Sequence, residues 1–514
     1  MTDATTPTGG AAQPTVAEPP ARRSIRQNTL AQLGPLVVGY GLSFITVPIV
    51  LAGLGLADYG VWAITGATAQ YAALLDLGVG YSVARHVALY EARADRASQG
   101  QVMTAAMLLL TGLGIVLWVV AGALAGPLAD ALHRTDVKAV AWVMQCGVII
   151  LTCTLLARAI GAFAVGRERM DAPNAGLMFA QIVQFAAVVA AIALAPRLTV
   201  FATANAVAAA IGLVGMVVIV RWRERGIPFA RPTVARTTEL LRFGVRAQFV
   251  QLGDLIVFES DKVIVGVLVS PAAAGAYEIG SRFAMAVRHV SIMPLGALIG
   301  PMTSAIETDG TASQRERYVH LAGRVAATGY PILVLGAVTS ATFLTAWLGD
   351  VPEWAVTVVI VLCIANLANT ATGVTTVFAN AAGRPGLPAI AAMTTAALNL
   401  VLSLVLGSSF GVGGVLAATA IATVVGAVLT IALVHRAYGL PGGAFLAAVT
   451  PPLGLAALSA IPAGAVGMVG VTGRLEGMLV LGACTAVFVA VYGVAALRTG
   501  LLPAVGPLAR LARR

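Results

Sequence analysis

Apolar segments long enough to cross a membrane recur along almost the whole of this 514-residue chain. A helix needs about 20 apolar residues to cross the hydrocarbon core, and lipid tolerates only helices and closed barrels as spanning structures. Hydrophobic residues make up 59% of the chain and charged residues 11%, against about 25% charged in an ordinary soluble domain. This composition excludes a water-soluble globular enzyme, a disordered chain and a secreted disulfide scaffold. It predicts an all-α polytopic membrane protein.

Fourteen candidate transmembrane helices can be counted, and the basic residues between them indicate an orientation. If both termini lie in the cytoplasm, 24 of the 32 Lys and Arg residues fall on the cytoplasmic side, four on the opposite side and four inside spans. Membrane proteins show this positive-inside bias. We therefore attribute the net charge of +10 to basic cytoplasmic loops and expect no nucleic-acid partner.

The predicted organisation is two lobes of six helices each, followed by two C-terminal helices. A weak repeat supports it, because residues 55–64 resemble residues 273–280 and place Tyr59 and Tyr277 at matching positions. Chance similarity between two Ala- and Gly-rich segments is the alternative. Parallel repeats are a transporter signature, with the substrate site between the lobes. The predicted divisions are a disordered cytoplasmic tail (1–24), the N-terminal lobe (25–220), a cytoplasmic linker (221–242), the C-terminal lobe (243–435), and the last two helices with a basic cytoplasmic tail (436–514).

Ionisable side chains inside spans are the most informative residues, because each costs about 2.5–3.5 kcal/mol at the bilayer centre. In the seventh span, Gln251, Asp254 and Asp261 share one helix face. A polar stripe of this kind should line an aqueous cavity. Asp261 and Lys262 are expected near the outer end, where a lysine can snorkel to the membrane surface.

The eighth span carries a second charged group. Glu278 and Arg282 form an i,i+4 pair in the favourable order. Arg282 and His289 share a helix face, and Arg288 points about 100° away from it. The alternative interpretation of Glu278 and Arg282 is a buried ion pair that only orders two helices.

Three further candidates lie near the predicted cytoplasmic surface. Arg246 is close to the inner end of the seventh span, where snorkelling is the alternative to a functional role. Asp76 is close to the inner end of the second span and could pair with Arg85. The complete candidate set for a central substrate cavity is Arg246, Gln251, Asp254, Asp261, Lys262, Glu278, Arg282, Arg288, His289, Asp76 and Arg85.

The chemistry of these residues suits an anionic, hydroxyl-rich ligand. Arginine offers planar bidentate donors that match phosphate, and carboxylates in membrane cavities commonly take part in proton or ion relays. The cavity could therefore bind a diphosphate and titrate with a coupling ion, H⁺ or Na⁺. The four cysteines lie in apolar runs without CxxC spacing or a Cys/His cluster. We expect no metal site, no cofactor and no catalytic residue.

Two stretches resemble a known family. The sequence Leu-Ala-Asp-Tyr-Gly-Val-Trp at 56–62, followed by Leu-Asp-Leu-Gly-Val-Gly at 75–80 and Arg85, is similar to the start of bacterial polysaccharide (O-antigen type) flippases. The stretch from Asp261 through Gly-Ala-Tyr at 275–277 to Arg282 resembles the opening of that family's second lobe. These proteins belong to the multidrug/oligosaccharidyl-lipid/polysaccharide exporter (MOP) superfamily.

The resemblance implies a function and a role for particular residues. It implies alternating access and export of a polyprenyl-diphosphate-linked oligosaccharide to the outer leaflet of the bacterial plasma membrane. Carried over to this sequence, the diphosphate-holding role falls on Arg246, Arg282 and Arg288. Membrane lipids, and a glycan polymerase or ligase, are the other partners to expect. The low aromatic content of 6% leaves the glycan open.

Three other functions remain as alternatives. A lipid II flippase of peptidoglycan synthesis would use the same chemistry. A multidrug or cation exchanger would need an acidic, aromatic cavity, which the cations of the seventh and eighth spans disfavour. A membrane glycosyltransferase or ligase would need a metal-binding DxD motif or a large extracytoplasmic domain, and neither is found in a plausible place.

Overall fold

The all-α architecture is confirmed in the described part of the chain, where regular structure is helical throughout. Residues 1–24, predicted to be a tail, lie outside it. The computed structural model describes residues 25–73, 79–167, 169, 171–223, 226–296, 298, 302, 306, 311–469 and 473–501. The helices are α1 (Ile25–Ala73), α2 (Val79–Ala92), α3 (Arg96–Ala131), α4 (Val137–Gly166), α5 (Asp171–Leu194), α6 (Leu198–Arg223), α7 (Val234–Leu268), α8 (Pro271–Gly296), α9 (Thr311–Val338), α10 (Ser340–Leu348), α11 (Ala355–Ala381), α12 (Gly386–Tyr438), α13 (Gly442–Gly467) and α14 (Arg474–Arg498).

Two of these helices contain a sharp break at a glycine. Gly55 in α1 has φ 77° and Gly411 in α12 has φ 58°, a backbone region that glycine adopts without the steric cost of a side chain. Gly55 falls between the predicted spans 30–53 and 59–81, and Gly411 is the first residue of the predicted span 411–434. In the described residues, ten helices are long and apolar enough to cross a membrane. The protein is therefore a multi-pass membrane protein, while the count of fourteen spans and the orientation stay predictions.

Helix α7 begins earlier than the sequence predicted. Thr233 caps its first turn by accepting a hydrogen bond from the backbone N–H of Arg236, so the helix already starts within the predicted linker 221–242. The early turns pack on the N-terminal lobe, because the hydroxyl of Ser82 donates to the carbonyl of the fully buried Leu240 at 2.8 Å. A short non-helical segment at 226–233 therefore joins the two lobes.

The helices pack as two groups that meet along α1, α7 and α8. The first group contains α3, α4, α5 and α6, which pack mainly on one another, together with α1 and α2, which pack on them. Helices α9, α11 and α12 surround α7 and α8, and α13 and α14 pack outside α9 and α10. The largest core cluster, which includes Tyr59, Ile64, Val265 and Tyr277, joins the two groups.

Outward-facing apolar side chains account for much of the surface. Leu108 and Val119 on α3 are each 60% exposed, and Ile461 on α13 is 68% exposed. Apolar surface on this scale would drive association in water. In a bilayer the same side chains face hydrocarbon, so these helices are suited to a lipid environment.

The two groups of helices approach each other closely at the repeated segments. A Cβ atom added to Gly60 of α1 would lie 1.6 Å from the carbonyl oxygen of Pro271, and one added to Gly275 of α8 would lie 2.7 Å from that of Leu56. Glycine at both positions lets the two backbones touch, as small residues do between membrane helices. The weak sequence repeat thus coincides with the contact between the lobes.

Replacing Gly60 by alanine tests this contact. We expect Gly60→Ala to lower the stability of the protein by about 1–3 kcal/mol, because the added methyl forces the backbones apart. Thermal unfolding of the purified protein in detergent measures the effect. Gly112→Ala is the matched control, since nothing lies within 4 Å of a Cβ there; equal midpoints for the two variants would contradict the close contact.

Candidate functional site

A cavity of about 560 Å³ lies between the two groups of helices. Helices α1 and α5 form one wall, and α7, α8, α11 and α12 form the other. Charged and hydroxyl groups line the cavity together with apolar ones. Such a lining suits an amphiphilic ligand. The polar lining residues are Tyr40, Ser43, Asn174, Gln181, Glu259, Asp261, Lys262, Tyr277, Glu278, Ser281, Arg282 and Thr419.

Four charged side chains in this cavity form a continuous chain of ion pairs, here called the ionic cluster. The ammonium of Lys262 lies 2.6 Å from a carboxylate oxygen of Glu259 and 2.9 Å from one of Glu278. The second oxygen of Glu278 accepts a hydrogen bond from Arg282 at 2.7 Å. Glu278 therefore bridges two cations, one on α7 and one on its own helix.

The local sequence explains how the ionic cluster forms. Glu259 and Lys262 are three residues apart on α7, and Glu278 and Arg282 are four apart on α8, so each pair shares a helix face. Packing of α7 on α8 then brings the two pairs together. The predicted pair of Glu278 and Arg282 is present, and Glu278 additionally joins the helices.

Lys262 lines the cavity, as in the candidate set, and does not snorkel to the membrane surface as its place near the end of the span would allow. Lys262 is only 8% exposed and its ammonium lies between two carboxylates. An unpaired buried ammonium would cost several kcal/mol, and paired carboxylates offset much of that cost. Because two carboxylates lie within reach of its ammonium, Lys262 is more stable in the buried position than extended to the membrane surface.

Arg282 also connects the two lobes. Its second terminal nitrogen donates a hydrogen bond to the hydroxyl of Ser43 on α1 at 2.6 Å. One turn further along α1, the hydroxyl of Tyr40 lies 2.9 Å from Nδ1 of His289 on α8, and that nitrogen also lies 2.7 Å from the carbonyl oxygen of Met285. Both links join the N-terminal lobe to α8 at the cavity.

Asp261 lines the same cavity and is surrounded by hydroxyl groups, here called the hydroxyl pocket. Its carboxylate accepts hydrogen bonds from Tyr277 at 2.7 Å, from Thr419 at 2.5 Å and from Ser403 at 3.2 Å. Ser403 and Thr419 stand on opposite sides of the Gly411 break in α12. Asp261 is 1% exposed, and this hydroxyl pocket stabilises its charge in place of water.

The structure brings only part of the predicted set into the cavity. Asp261, Lys262, Glu278 and Arg282 line it. His289 and Arg288 lie beside it: His289 is exposed and reaches Tyr40, and Arg288 is close enough to interact electrostatically with Tyr40.

Other predicted residues are placed elsewhere or lie outside the described residues. Arg85 is exposed on α2 and does not line the cavity. Asp76, together with the side chains of Arg246, Gln251 and Asp254, lies outside what the structure describes. The roles assigned to these four residues stay predictions.

Sequence reasoning missed several residues of the cavity and of the hydroxyl pocket. Glu259 had a usable signal, because it lies three residues before Lys262 on the same helix. Ser43, Ser403 and Thr419 had none, since hydroxyl side chains are common in membrane helices and bond their own backbone. Each lies more than 140 residues in sequence from the charged residue that it contacts.

Removing the bridging carboxylate tests the ionic cluster. We expect Glu278→Ala to lower stability by about 3–5 kcal/mol, because Lys262 and Arg282 lose the carboxylate that both contact. Thermal unfolding in detergent measures the loss. Glu316→Gln, which changes an exposed carboxylate on α9, is the control and should leave the midpoint unchanged. An unchanged midpoint for Glu278→Ala would show that the cluster contributes no stability.

Comparison with solved structures gives the fold. A multidrug resistance MATE family transporter of the MOP superfamily, in an inward-facing conformation, aligns with a TM-score of 0.65 at 12% identity over 80% of this chain and 98% of its own. The lipid II flippase MurJ, in an inward closed conformation, aligns with 0.63 at 12% identity over 90% and 99%. A MOP superfamily transporter from Pyrococcus furiosus, described as having a binding pocket of reverse polarity, aligns with 0.54 at 14% identity over 81% and 97%.

Comparison with protein families shows to which family the chain belongs. No curated protein matches the chain by sequence. A family model described as polysaccharide biosynthesis protein matches residues 25–307, more than half of the chain, including α1 to α8 and every member of the ionic cluster. The chain has the fold of the MOP superfamily transporters. The family match confirms the family expected from the sequence, and the chain belongs to the polysaccharide biosynthesis protein family.

Proposed function

We propose that this protein is a flippase that moves a polyprenyl-diphosphate-linked oligosaccharide from the inner to the outer leaflet of a bacterial plasma membrane. The flipped molecule would serve the synthesis of a cell-surface polysaccharide, in line with the family. The observation that carries the proposal is the polar cavity between the two lobes, where Lys262 and Arg282 stand within reach of one ligand.

The cavity has the chemistry that such a head group requires. A diphosphate is recognised by charge-assisted hydrogen bonds from guanidinium and ammonium groups. Hydroxyl and amide side chains, among them Ser43, Asn174 and Gln181, can bond sugar hydroxyls. A volume of about 560 Å³ lies within the range of small-molecule sites, and the lipid tail would stay in the bilayer between helices.

Alternating access requires the contacts between the lobes to break and re-form. The bond from Arg282 to Ser43 and the contact of Tyr40 with His289 are two of them. The indole N–H of Trp347 on α10 also donates to the carbonyl of Phe44 on α1, and the two rings are in contact. Hydrogen bonds of this kind contribute about 1–3 kcal/mol each. Each can therefore be exchanged for other contacts when the lobes move.

The alternatives differ in the ligand. A lipid II flippase would use the same diphosphate chemistry, and MurJ has a similar fold. A multidrug exchanger, like the MATE transporter of similar fold, would need carboxylates free to bind cationic ligands, and Glu259 and Glu278 are already paired with Lys262 and Arg282. A membrane glycosyltransferase or ligase would have to perform chemistry, and the cavity's ion pairs offer binding groups for a phosphate instead.

Transport of the proposed substrate is the direct test. We expect Arg282→Ala to reduce the initial rate of flipping of a fluorescent lipid-linked oligosaccharide by at least about tenfold, because it removes the donor pair at the centre of the cavity. The measurement uses purified protein in vesicles and a membrane-impermeant quencher. Parallel vesicles with lipid II or a cationic dye separate the alternatives.

A matched variant controls for general effects of removing a positive charge. Arg96→Gln changes an exposed arginine on α3 and should flip at the rate of the unmodified protein. Equal rates for Arg282→Ala and Arg96→Gln would reject the cavity as the substrate site. Transport of lipid II or the dye alone would reassign the substrate.

We further propose that the hydroxyl pocket of Asp261 binds the coupling ion, H⁺ or Na⁺. The support is a buried carboxylate surrounded by the oxygens of Tyr277, Ser403 and Thr419. A carboxylate with neutral oxygen ligands suits a small hard cation, and ionisable groups in membrane cavities serve proton and ion relays. The pocket opens to the substrate cavity through Thr419, which allows the two sites to interact.

Neutralising Asp261 tests the coupling site. We expect the flipping rate of the unmodified protein to rise with an imposed Na⁺ or proton gradient, and Asp261→Asn to abolish that dependence because the amide carries no charge. The same vesicle assay, with the gradient varied, measures this. Asp130→Asn, which alters an exposed carboxylate at the end of α3, should keep the dependence. A gradient response retained by Asp261→Asn would exclude this pocket.

A further inference from the structure

The ionic cluster is electrically balanced before any ligand arrives. Two carboxylates, Glu259 and Glu278, face two cations, Lys262 and Arg282. Each cation already has a carboxylate within 3 Å. An anionic head group therefore cannot pair fully with either cation unless one carboxylate gives up its position.

The two carboxylates differ in the number of ion pairs that each one forms. Glu278 contacts both cations, one with each oxygen, and links α8 to α7. Among the residues that the structure describes, Glu259 forms an ion pair with Lys262 alone, and its side chain is 19% exposed against 11% for that of Glu278. Displacing Glu259 breaks one ion pair, while displacing Glu278 breaks two and opens a contact between helices.

The geometry also makes the pair of Glu259 and Lys262 easy to open. Both residues lie on α7, three positions apart, so the contact depends on two long side chains and not on the packing of separate helices. Rotation of the Glu259 side chain breaks the pair without moving the backbone. Both residues line the cavity, so a ligand can reach the ammonium from the same space.

We propose that Glu259 is an exchangeable internal counter-ion, which occupies the place of a substrate phosphate on Lys262 and leaves it when the anionic head group binds. This inference rests on the proposed function and adds to it a positioning residue. In the empty protein, Glu259 keeps the cluster neutral and so lowers the cost of holding Lys262 away from water. On release of the product, its return to Lys262 competes with rebinding of the phosphate.

The proposal makes a specific statement about affinity. Glu259 competes with the ligand for one ammonium, so removing its charge must strengthen the binding of a diphosphate. The gain must depend on Lys262. A merely structural role for Glu259 predicts the opposite, a weaker site or a less stable protein, because loss of a buried partner leaves the ammonium uncompensated.

The test measures binding of inorganic pyrophosphate to the purified full-length protein in detergent by titration calorimetry. We expect Glu259→Gln to bind pyrophosphate about tenfold more tightly than the unmodified protein, a difference of ~1.4 kcal/mol. Lys262→Met should bind more weakly. The double variant Glu259→Gln/Lys262→Met should bind no more tightly than Lys262→Met, because the two residues act through one contact.

Two controls keep the result interpretable. Glu316→Gln changes an exposed carboxylate on α9 and should leave pyrophosphate affinity unchanged, which separates the proposal from a general effect of net charge. Glu259→Asp shortens the side chain, so its carboxylate reaches Lys262 less well. It should shift affinity in the same direction as Glu259→Gln and replaces that variant if the amide impairs folding.

The outcomes separate this inference from the proposed function. Unchanged or weaker pyrophosphate binding by Glu259→Gln and Glu259→Asp would overturn the counter-ion, as would an equal gain in the Lys262→Met background or binding by none of the variants. If the unmodified protein nevertheless flips lipid-linked oligosaccharide in vesicles, the proposed function stands. If it binds pyrophosphate with the expected pattern and flips no lipid-linked oligosaccharide, the counter-ion stands and the proposed function fails.

Discussion

The structure depends on a group of four paired charges between membrane helices, two of which, Lys262 and Glu278, are buried. Glu259, Lys262, Glu278 and Arg282 satisfy one another within 3 Å, in a region where a single unpaired charge would cost several kcal/mol. A stable protein could avoid that cost with apolar side chains of the same volume. Retaining the charges is explained if a ligand needs them, and the cavity that they line gives a ligand access.

The arrangement of the lobes follows from the contact at the repeated segments. Gly60 and Gly275 let α1 and α8 approach backbone to backbone, while further along the same two helices Ser43 and Arg282 line the cavity and are joined by a hydrogen bond. The backbone contact and the hydrogen bond are therefore two different kinds of contact between the same two helices.

The sequence predicted the parts of this protein that depend on local patterns. Apolar runs predicted the helices, the glycine breaks at Gly55 and Gly411 lie at boundaries of predicted spans, and the i,i+4 spacing predicted the pair of Glu278 and Arg282. The sequence was insufficient where the outcome depends on residues distant in the chain. For Lys262 the pattern left both snorkelling and a place in the cavity open, because it could not show that Glu278 would come within 2.9 Å.

The hydroxyl pocket of Asp261 illustrates the same limit. Ser403 and Thr419 reach Asp261 only because α12 breaks at Gly411 and packs on α7. The start of α7 was misplaced for a related reason, because the burial of Leu240 against α2 favours helix in a stretch whose charge is typical of a loop.

The central claim is that the ionic cluster lies in a cavity that opens to the two sides of the membrane in turn. Ser281 lines this cavity, so a single cysteine at that position, in a variant with the four native cysteines removed, reports access directly. The account predicts that Ser281→Cys in vesicles reacts with a membrane-impermeant thiol reagent applied on either side. Reaction from neither side, or from one side only even in the presence of lipid-linked oligosaccharide, would contradict it.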